Sequence, residues 1–102
     1  LHTFSSLNKD FLDQYEGSMD KADTAIVYFN PETLKHKRLP DITPAEVKAA
    51  FSREDLQVIT DSNGLAANLT ALNWNNTNLL LMSSGNFDGL NLEELGNQVV
   101  GP

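Results

Sequence analysis

Hydrophobic and polar positions along the chain form blocks that predict strands and helices in alternation. Three short apolar blocks, near residues 24–29, 56–60 and 77–82, have the composition of strands buried in a sheet. The segments before, between and after them carry apolar residues at helical spacing. Such alternation predicts right-handed βαβ units and a parallel sheet covered by helices. We therefore expect residues 1–102 to form a single α/β domain of three layers.

Local signals place the starts of two helices. Thr43, Pro44 and Glu46 combine a cap, a first-turn proline and an acidic residue three positions after the cap, which together mark a helix start. Asp61 or Ser62 is expected to cap the next helix. These two helices would lie on either side of the second predicted strand in the sequence.

The start of the chain predicts a helix with no strand before it. Leu7, Phe11 and Tyr15 repeat every four residues and so line one helical face. Because a helix is an unusual first element for this architecture, residues 1–4 are interpreted as the stub of a missing first strand. An absent strand leaves an unpaired sheet edge, and such edges favour pairing with another chain, so we expect some self-association.

Two other stretches are predicted to lack regular structure. Residues 32–42 contain a basic cluster and have no periodic apolar pattern. The basic cluster, residues 35–38, is interpreted as a solvated loop, or as a contact for an anionic ligand or another domain. The last helix is expected over residues 90–95, and the chain from Gly96 onward has the pattern of a frayed tail.

Composition argues against several classes of function. The chain has 102 residues and a formal net charge of −7, and an acidic chain repels phosphate backbones, so nucleic-acid binding is not expected. It has no cysteine, which removes thiol catalysis and thiolate metal sites and fits a reducing compartment such as the cytoplasm. No stretch approaches the ~20 apolar residues of a membrane span. The sequence contains no G-x-x-x-x-G-K-S/T phosphate loop, and its histidine spacing suggests no metal site.

The loop after the third predicted strand is the strongest candidate for a binding site. The apolar block stops there at Ser83, Ser84 and Asn86, and Phe87 lies between two glycines. Ligands of α/β sheets bind at the carboxyl ends of the strands, where this loop would lie. The pattern alone leaves two interpretations open, a ligand-binding loop or a tight turn between a strand and a helix.

Four segments of the chain carry recognisable motifs. Residues 81–89 have the pattern M-S-N/S-G-x-F-x-G, and residues 2–5 have part of the pattern P-H-R-Y-S/T-R. Residues 22–27 fit a strand that starts A-D-x-V/I, and residues 39–43 place Leu-Pro just before a helix start. Together these segments span roughly residues 1–95 and resemble the C-terminal domain of the Mur ligases, where they match the branch that recycles peptidoglycan best.

The resemblance implies a Rossmann-like domain that lacks the family's first strand, and a parent protein that is an enzyme. Mur ligases use ATP and magnesium to join a carboxylate to an amine through an acyl phosphate. The recycling branch joins a cell-wall tripeptide, L-alanyl-γ-D-glutamyl-meso-diaminopimelate, to UDP-N-acetylmuramate. A domain of this kind closes over ATP and the amine substrate, while an N-terminal domain binds the UDP-sugar and a central domain holds the phosphate loop and magnesium. The isolated chain is therefore expected to be inactive without those two domains.

The resemblance also assigns residues to the site. Four positions would face the peptide substrate and two would face the nucleotide: Ser83, Ser84, Asn86 and Phe87, and His2 and Thr3. Thr3 stands where the family often has arginine, and Asp88 replaces a common glycine. Phe87 would either form a wall of the pocket and exclude water, or plug the core beneath the turn. No catalytic and no metal-binding residue is assigned to this chain.

Two other classes of protein remain open from the sequence. A stand-alone binding or signalling module of flavodoxin-like topology would have a complete sheet, its own ligand pocket and no catalytic activity. An interaction domain would have no small ligand at all. A phosphate loop encoded upstream of Leu1 would distinguish the ligase from both alternatives.

Overall fold

Two short parallel strands form the centre of the fold. A computed structural model of the chain describes residues 1, 3, 6–75, 77–83 and 87–100. Within these residues, a 3-10 helix (Lys9–Tyr15) comes first and is followed by β1 (Ile26–Tyr28), α1 (Pro31–His36), α2 (Pro44–Phe51), β2 (Gln57–Ile59), α3 (Ser62–Ala71) and α4 (Leu92–Val100).

The sheet pairs β1 with β2 in parallel, with Ile26 opposite Gln57. Both strands contain mainly β-branched and aromatic residues, which suit a pleated surface that is at least half-buried. The predicted strands near 24–29 and 56–60 are therefore confirmed, although each is shorter than its apolar block. The α/β class and the parallel pairing predicted from the sequence are confirmed with them.

The third predicted strand, near residues 77–82, is wrong. Residues 77–83 are irregular and pair with no strand in the described part of the chain. Leu80 and Met82 are 78% and 77% exposed, whereas a buried strand would cover both side chains. The physical reason is the lack of a neighbour, because an apolar run forms a strand only where another strand receives its backbone hydrogen bonds. Leu79 does pack against a buried cluster.

Alternate residues of β1 face two separate hydrophobic clusters. Val27 and Phe29 belong to the larger cluster, which residues of the 3-10 helix, α1 and α2 complete. Ile26 and Tyr28 belong to the smaller cluster, which residues of α3 and α4 complete. This alternation is that of a strand with both faces buried. Helices therefore cover both faces of the two-stranded sheet.

The connection over residues 32–42, predicted to be irregular, begins instead with helix α1. Asn30 caps this helix by accepting a hydrogen bond from the Glu32 amide at 2.9 Å, and Pro31 occupies its first turn. Leu34 is 1% exposed, so packing against the larger cluster adds to these local signals. A short helix thus forms directly after β1.

Helix α4 extends further than predicted. The sequence predicts it over residues 90–95 with a frayed tail from Gly96, whereas the helix continues to Val100. Leu95 is buried, and Val99, one turn later, packs against the same smaller cluster. This packing carries the helix past Gly96, whose cost in a helix interior is about 1 kcal/mol.

The opening helix is a 3-10 helix, and its buried face differs from the predicted one. Leu7 is buried as expected, but Leu12 rather than Phe11 is the buried residue within the helix. Phe11 is 42% exposed and meets Tyr15 edge to face, with ring centroids 5.8 Å apart. The three-residue turn of a 3-10 helix does not keep residues four apart on one face, which explains the difference.

Arg53 ties the start of β2 to the connection before β1. Its guanidinium donates hydrogen bonds to the carbonyl oxygens of Met19, at 2.5 Å, and Asp23, at 3.1 Å, and it pairs with Asp55 at 2.6 Å. The hydrogen bond from Arg53 holds the pKa of Asp55 below its usual value. Because the planar guanidinium fixes all three groups at once, it aligns the amino ends of the two strands.

The capping box at the start of α2 gives a testable contribution to stability. Thr43 Oγ1 accepts a hydrogen bond from the Glu46 amide, and Glu46 Oε1 accepts one from the Thr43 amide, both at 3.2 Å. We expect Thr43→Ala to lower the free energy of unfolding by about 1 kcal/mol, measured by urea denaturation. Thr60→Ala, at an exposed threonine outside the described caps, is the control. Equal losses in both variants would contradict the capping role.

Candidate functional site

Three side chains meet at the carboxyl end of β1. Tyr28, the last residue of the strand, donates a hydrogen bond from its hydroxyl to Asp88 Oδ2 at 2.5 Å. The ring of Phe87 meets the Tyr28 ring edge to face, with centroids 6.0 Å apart. Tyr28 is 7% exposed and Phe87 is half-buried, whereas Asp88 is exposed. The segment before α4 is thereby held where α/β sheets bind their ligands.

The backbone of this segment has an uncommon conformation. The φ angle is 56° at Phe87, 61° at Asp88 and 99° at Gly89, all in the region that favours glycine. Left-handed backbone costs a residue with a side chain about 1–2 kcal/mol, whereas a hydrogen bond to a charged group contributes about 1.5–3 kcal/mol. The bond from Tyr28 can therefore offset the strain at Asp88. Strain of this kind clusters at binding sites and ligand clamps.

The amino group of Leu1 lies at the same end of β1. It donates a hydrogen bond to the Tyr28 carbonyl oxygen at 2.7 Å. Burial lowers the pKa of this amino group, and the negative charge of Asp88 opposes the shift. A carbonyl oxygen and a carboxylate thus lie near one nitrogen, so this end of the strand offers acceptors to a group that donates hydrogen bonds.

The predicted site residues divide into two groups. Three lie outside the described residues: His2, Ser84 and Asn86. Thr3 is exposed, and its hydroxyl donates a hydrogen bond to Ser6 Oγ at 2.9 Å within a local turn. Ser83 is exposed at the end of the irregular segment. Phe87 packs against the smaller cluster and keeps part of its surface exposed, so both interpretations of its role have a physical basis.

Sequence reasoning did not assign Tyr28 and Asp88 to the site as a pair. The strand pattern accounts for Tyr28 as a buried strand residue, and Asp88 enters only as a departure from the family motif. The dipeptide Asp88-Gly89 does signal a turn, because aspartate tolerates left-handed backbone and glycine adopts it freely. Nothing in the sequence indicates that Asp88 meets a residue 60 positions earlier.

Tyr28 retains its proton more strongly than an ordinary tyrosine. Burial raises the pKa of its hydroxyl most, the hydrogen bond to Asp88 and the charge of that carboxylate raise it further, and the charge of Asp61 adds to the effect. The unfolded chain releases this proton near the ordinary tyrosine pKa of about 10, at a pH where the folded chain keeps it. The contribution of Tyr28 to stability is therefore complete below about pH 10 and is lost as the pH rises further.

We therefore expect the free energy of unfolding to fall less steeply in Tyr28→Phe than in the wild-type chain between about pH 9 and pH 11. The measurement is urea denaturation of both proteins across this range. Tyr15, whose pKa burial also raises, titrates in both proteins, so the difference between them reports Tyr28. Parallel pH curves would show that Tyr28 does not contribute in this way.

Other described surfaces offer weaker chemistry. An open groove between the 3-10 helix and α2 is bordered by the ion pair of Lys9 and Glu46, at 2.7 Å, and exposed pairs of this kind contribute little. In the basic cluster, Lys35 pairs with Glu32 at 3.3 Å. Among the described residues, no three His, Asp or Glu side chains are placed to hold a metal ion. The helices described here are too short or too polar to cross a membrane.

Comparison of the chain with protein-family models, with curated proteins and with solved structures found no match. The comparisons therefore assign the chain to no family. The resemblance to the Mur ligases depends on the four sequence motifs, and among these the segment 81–89 includes the two residues that meet Tyr28.

Proposed function

We propose that this chain is the C-terminal domain of a Mur ligase of the recycling branch, UDP-N-acetylmuramate:L-alanyl-γ-D-glutamyl-meso-diaminopimelate ligase. The observation that supports the proposal most is the position of Phe87 and Asp88. They belong to the segment 81–89, whose sequence resembles the family's last loop, and both contact Tyr28 at the carboxyl end of a parallel strand. In this cytoplasmic enzyme the domain closes over ATP and the amine substrate, while the phosphate loop and the magnesium site belong to the central domain.

The outer edge of β1 pairs with no strand in the described residues and receives only the hydrogen bond from Leu1 to the Tyr28 carbonyl, which supports a Rossmann-like sheet from which one strand is missing. In parallel pairing, alternate residues direct their backbone groups to the same neighbour. The Phe29 amide donates a hydrogen bond to the Ile59 carbonyl oxygen of β2 at 3.1 Å. The backbone amide and carbonyl groups of Ile26 and Tyr28 are therefore directed to the opposite edge of β1. Within the described residues, no strand pairs with that edge. The family's first strand would lie there.

The residues near this edge suit a peptide that carries an amino group. Asp88 places a carboxylate at this end of the strand, beside the Tyr28 hydroxyl, and a carboxylate can accept hydrogen bonds from an amino group. The hydroxyl of Ser83 and the amide of Asn86 can both donate and accept hydrogen bonds, which suits a zwitterionic amino-acid terminus. Phe87 would limit the access of water to the acyl phosphate, which hydrolysis would otherwise consume.

The proposal is tested on the full-length parent protein. We expect it to release ADP from ATP only when UDP-N-acetylmuramate and the tripeptide are both present, with the joined product identified by mass spectrometry. Reactions that omit one substrate at a time are the controls. The isolated chain is expected to turn over no ATP, because its sequence lacks a phosphate loop. ADP release that does not depend on the tripeptide, or ATP turnover by the pure isolated chain, would contradict the proposal and favour a stand-alone module.

The unpaired edge of β1 also predicts self-association of the isolated chain. We expect the mass measured by light scattering to rise above that of a monomer as the concentration increases. Leu80→Lys, which places a charge in the unpaired apolar segment, should reduce the rise. Val100→Lys is the matched control, because Val100 is 82% exposed but lies in α4. A wild-type chain that stays strictly monomeric at high concentration would count against the prediction.

A further inference from the structure

We propose that Asp88 is a positioning residue, whose carboxylate holds the Tyr28 hydroxyl and thereby fixes residues 87–89 for binding of the amine substrate. This inference rests on the proposed function and adds a residue that the family motif does not contain. Where that motif commonly has glycine, this chain has aspartate.

The backbone at Asp88 makes the departure informative. Its φ angle of 61° is one that glycine adopts without strain, so a residue with a side chain is less favourable here on backbone grounds alone. Asp88 Oδ2 accepts a hydrogen bond from the Tyr28 hydroxyl at 2.5 Å. The chain thus has an anchor at a position where glycine would have given a relaxed but untethered turn.

The anchor is effective because Tyr28 is itself fixed. It is buried and packs in the smaller cluster with three leucines: Leu65, Leu69 and Leu95. Phe87, the neighbour of Asp88, packs against the same tyrosine ring. Two consecutive residues therefore hold one immobile side chain, one through its ring and the other through its hydroxyl. Phe87 and Asp88 cannot shift relative to the sheet without breaking these contacts.

Nuclear magnetic resonance of the isolated chain tests the anchor without any assumption about catalysis. Tyr28→Phe removes the hydroxyl alone, and Asp88→Gly removes the carboxylate while relieving the backbone strain. In both we expect weaker contacts between the rings at positions 28 and 87, and amide order parameters over residues 87–90 that fall from about 0.85 to below about 0.6. Asp88→Asn keeps an acceptor oxygen and tolerates left-handed backbone, so it should retain most of the order.

Tyr15→Phe is the matched control for Tyr28→Phe. It removes the hydroxyl of the chain's other tyrosine, whose ring stacks on Phe51 in the larger cluster. We expect it to leave the order of residues 87–90 unchanged. A segment that stays equally ordered, or becomes more ordered, in Asp88→Gly would overturn the proposal, because glycine would then be the better residue at this position.

The same variants in the parent ligase connect the anchor to substrate binding. We expect KM for the tripeptide to rise about tenfold in Tyr28→Phe and Asp88→Gly with a smaller change in kcat, because a segment that samples other conformations binds more weakly. If the order parameters fall but KM is unchanged, Asp88 does not position the substrate and the proposal is wrong. If the wild-type parent has no tripeptide-dependent activity, the proposed function fails, and with it the positioning role, whereas the order parameters still decide whether the anchor exists.

Discussion

Replacing Phe29 by alanine is expected to unfold much of the chain. Phe29 is fully buried, at 0% exposure, in the larger hydrophobic cluster on one face of the sheet. Truncation of a buried phenylalanine to alanine costs about 3–5 kcal/mol, whereas a whole small domain is stable by about 5–15 kcal/mol. Phe29→Ala is therefore expected to remove a large share of the free energy of unfolding. Urea denaturation followed by far-ultraviolet circular dichroism would show a sharply lower midpoint, or no folded baseline.

Phe11→Ala is the matched control for this prediction. Phe11 is 42% exposed, so the same substitution removes a ring that is only partly covered. The expected loss is on the order of 1 kcal/mol, from partial burial and from the edge-to-face contact with Tyr15. Comparable losses in the two variants would mean that Phe29 does not occupy the core position described here.

In the proposed parent ligase, Asn86→Ala and Phe87→Ala are each expected to lower kcat/KM for the tripeptide by more than about tenfold, equivalent to roughly 1.4 kcal/mol of transition-state binding. The motif places Asn86 in the loop that would face the substrate, and its amide suits the amino-acid terminus. Asn86→Ala should leave the melting temperature unchanged. Phe87→Ala should lower it as well, because the ring packs against Tyr28.

Asn97→Ala tests whether these kinetic effects are specific to the site. Asn97 is exposed on α4, outside the segment that would meet the substrate, and its variant should keep both kinetics and melting temperature. Normal kinetics in both site variants would contradict the site assignment. For Phe87→Ala, kinetics measured well below the melting temperature of the variant, where it is folded, separate the two roles: a normal kcat/KM there would assign Phe87 to the core alone.

The elements that sequence reasoning predicted well are those decided by nearby residues. The capping box of Thr43 and Glu46 and the cap at Asp61 need only the chain within one turn, and all three residues act as predicted. The pair Asn30-Pro31 carried two meanings, because it ends a strand and also caps and starts a helix. The prediction that residues 32–42 are irregular took the pair only as the end of the strand and therefore missed α1.

Whether residues 77–83 form a strand depends on a neighbour rather than on their composition. Leu80 and Met82 have the hydrophobicity of strand residues, yet both side chains are exposed. The composition of an apolar run does not determine whether another strand lies beside it. This is why periodicity and composition predicted the wrong structure for this segment while correctly predicting β1 and β2.

Sequence reasoning placed the loop at the carboxyl end of a third strand, which does not form. Phe87 lies instead against the end of β1, a contact that the strand order did not indicate. The contact between Tyr28 and Asp88 joins residues far apart in sequence, and it depends on the turn at positive φ that directs Asp88 towards the strand. Neither spacing nor residue type encodes such a contact.

The alternating faces of β1 make this strand intolerant of changes in length. A one-residue insertion or deletion before Tyr28 would exchange the two faces of the strand, because side chains alternate with a period of two. The ring of Phe29 would then turn towards Asp88, and the Tyr28 hydroxyl would enter an apolar cluster. Related chains should therefore vary in the identity of Ile26 and Val27 among β-branched residues, but should carry no gap between Ala25 and Phe29.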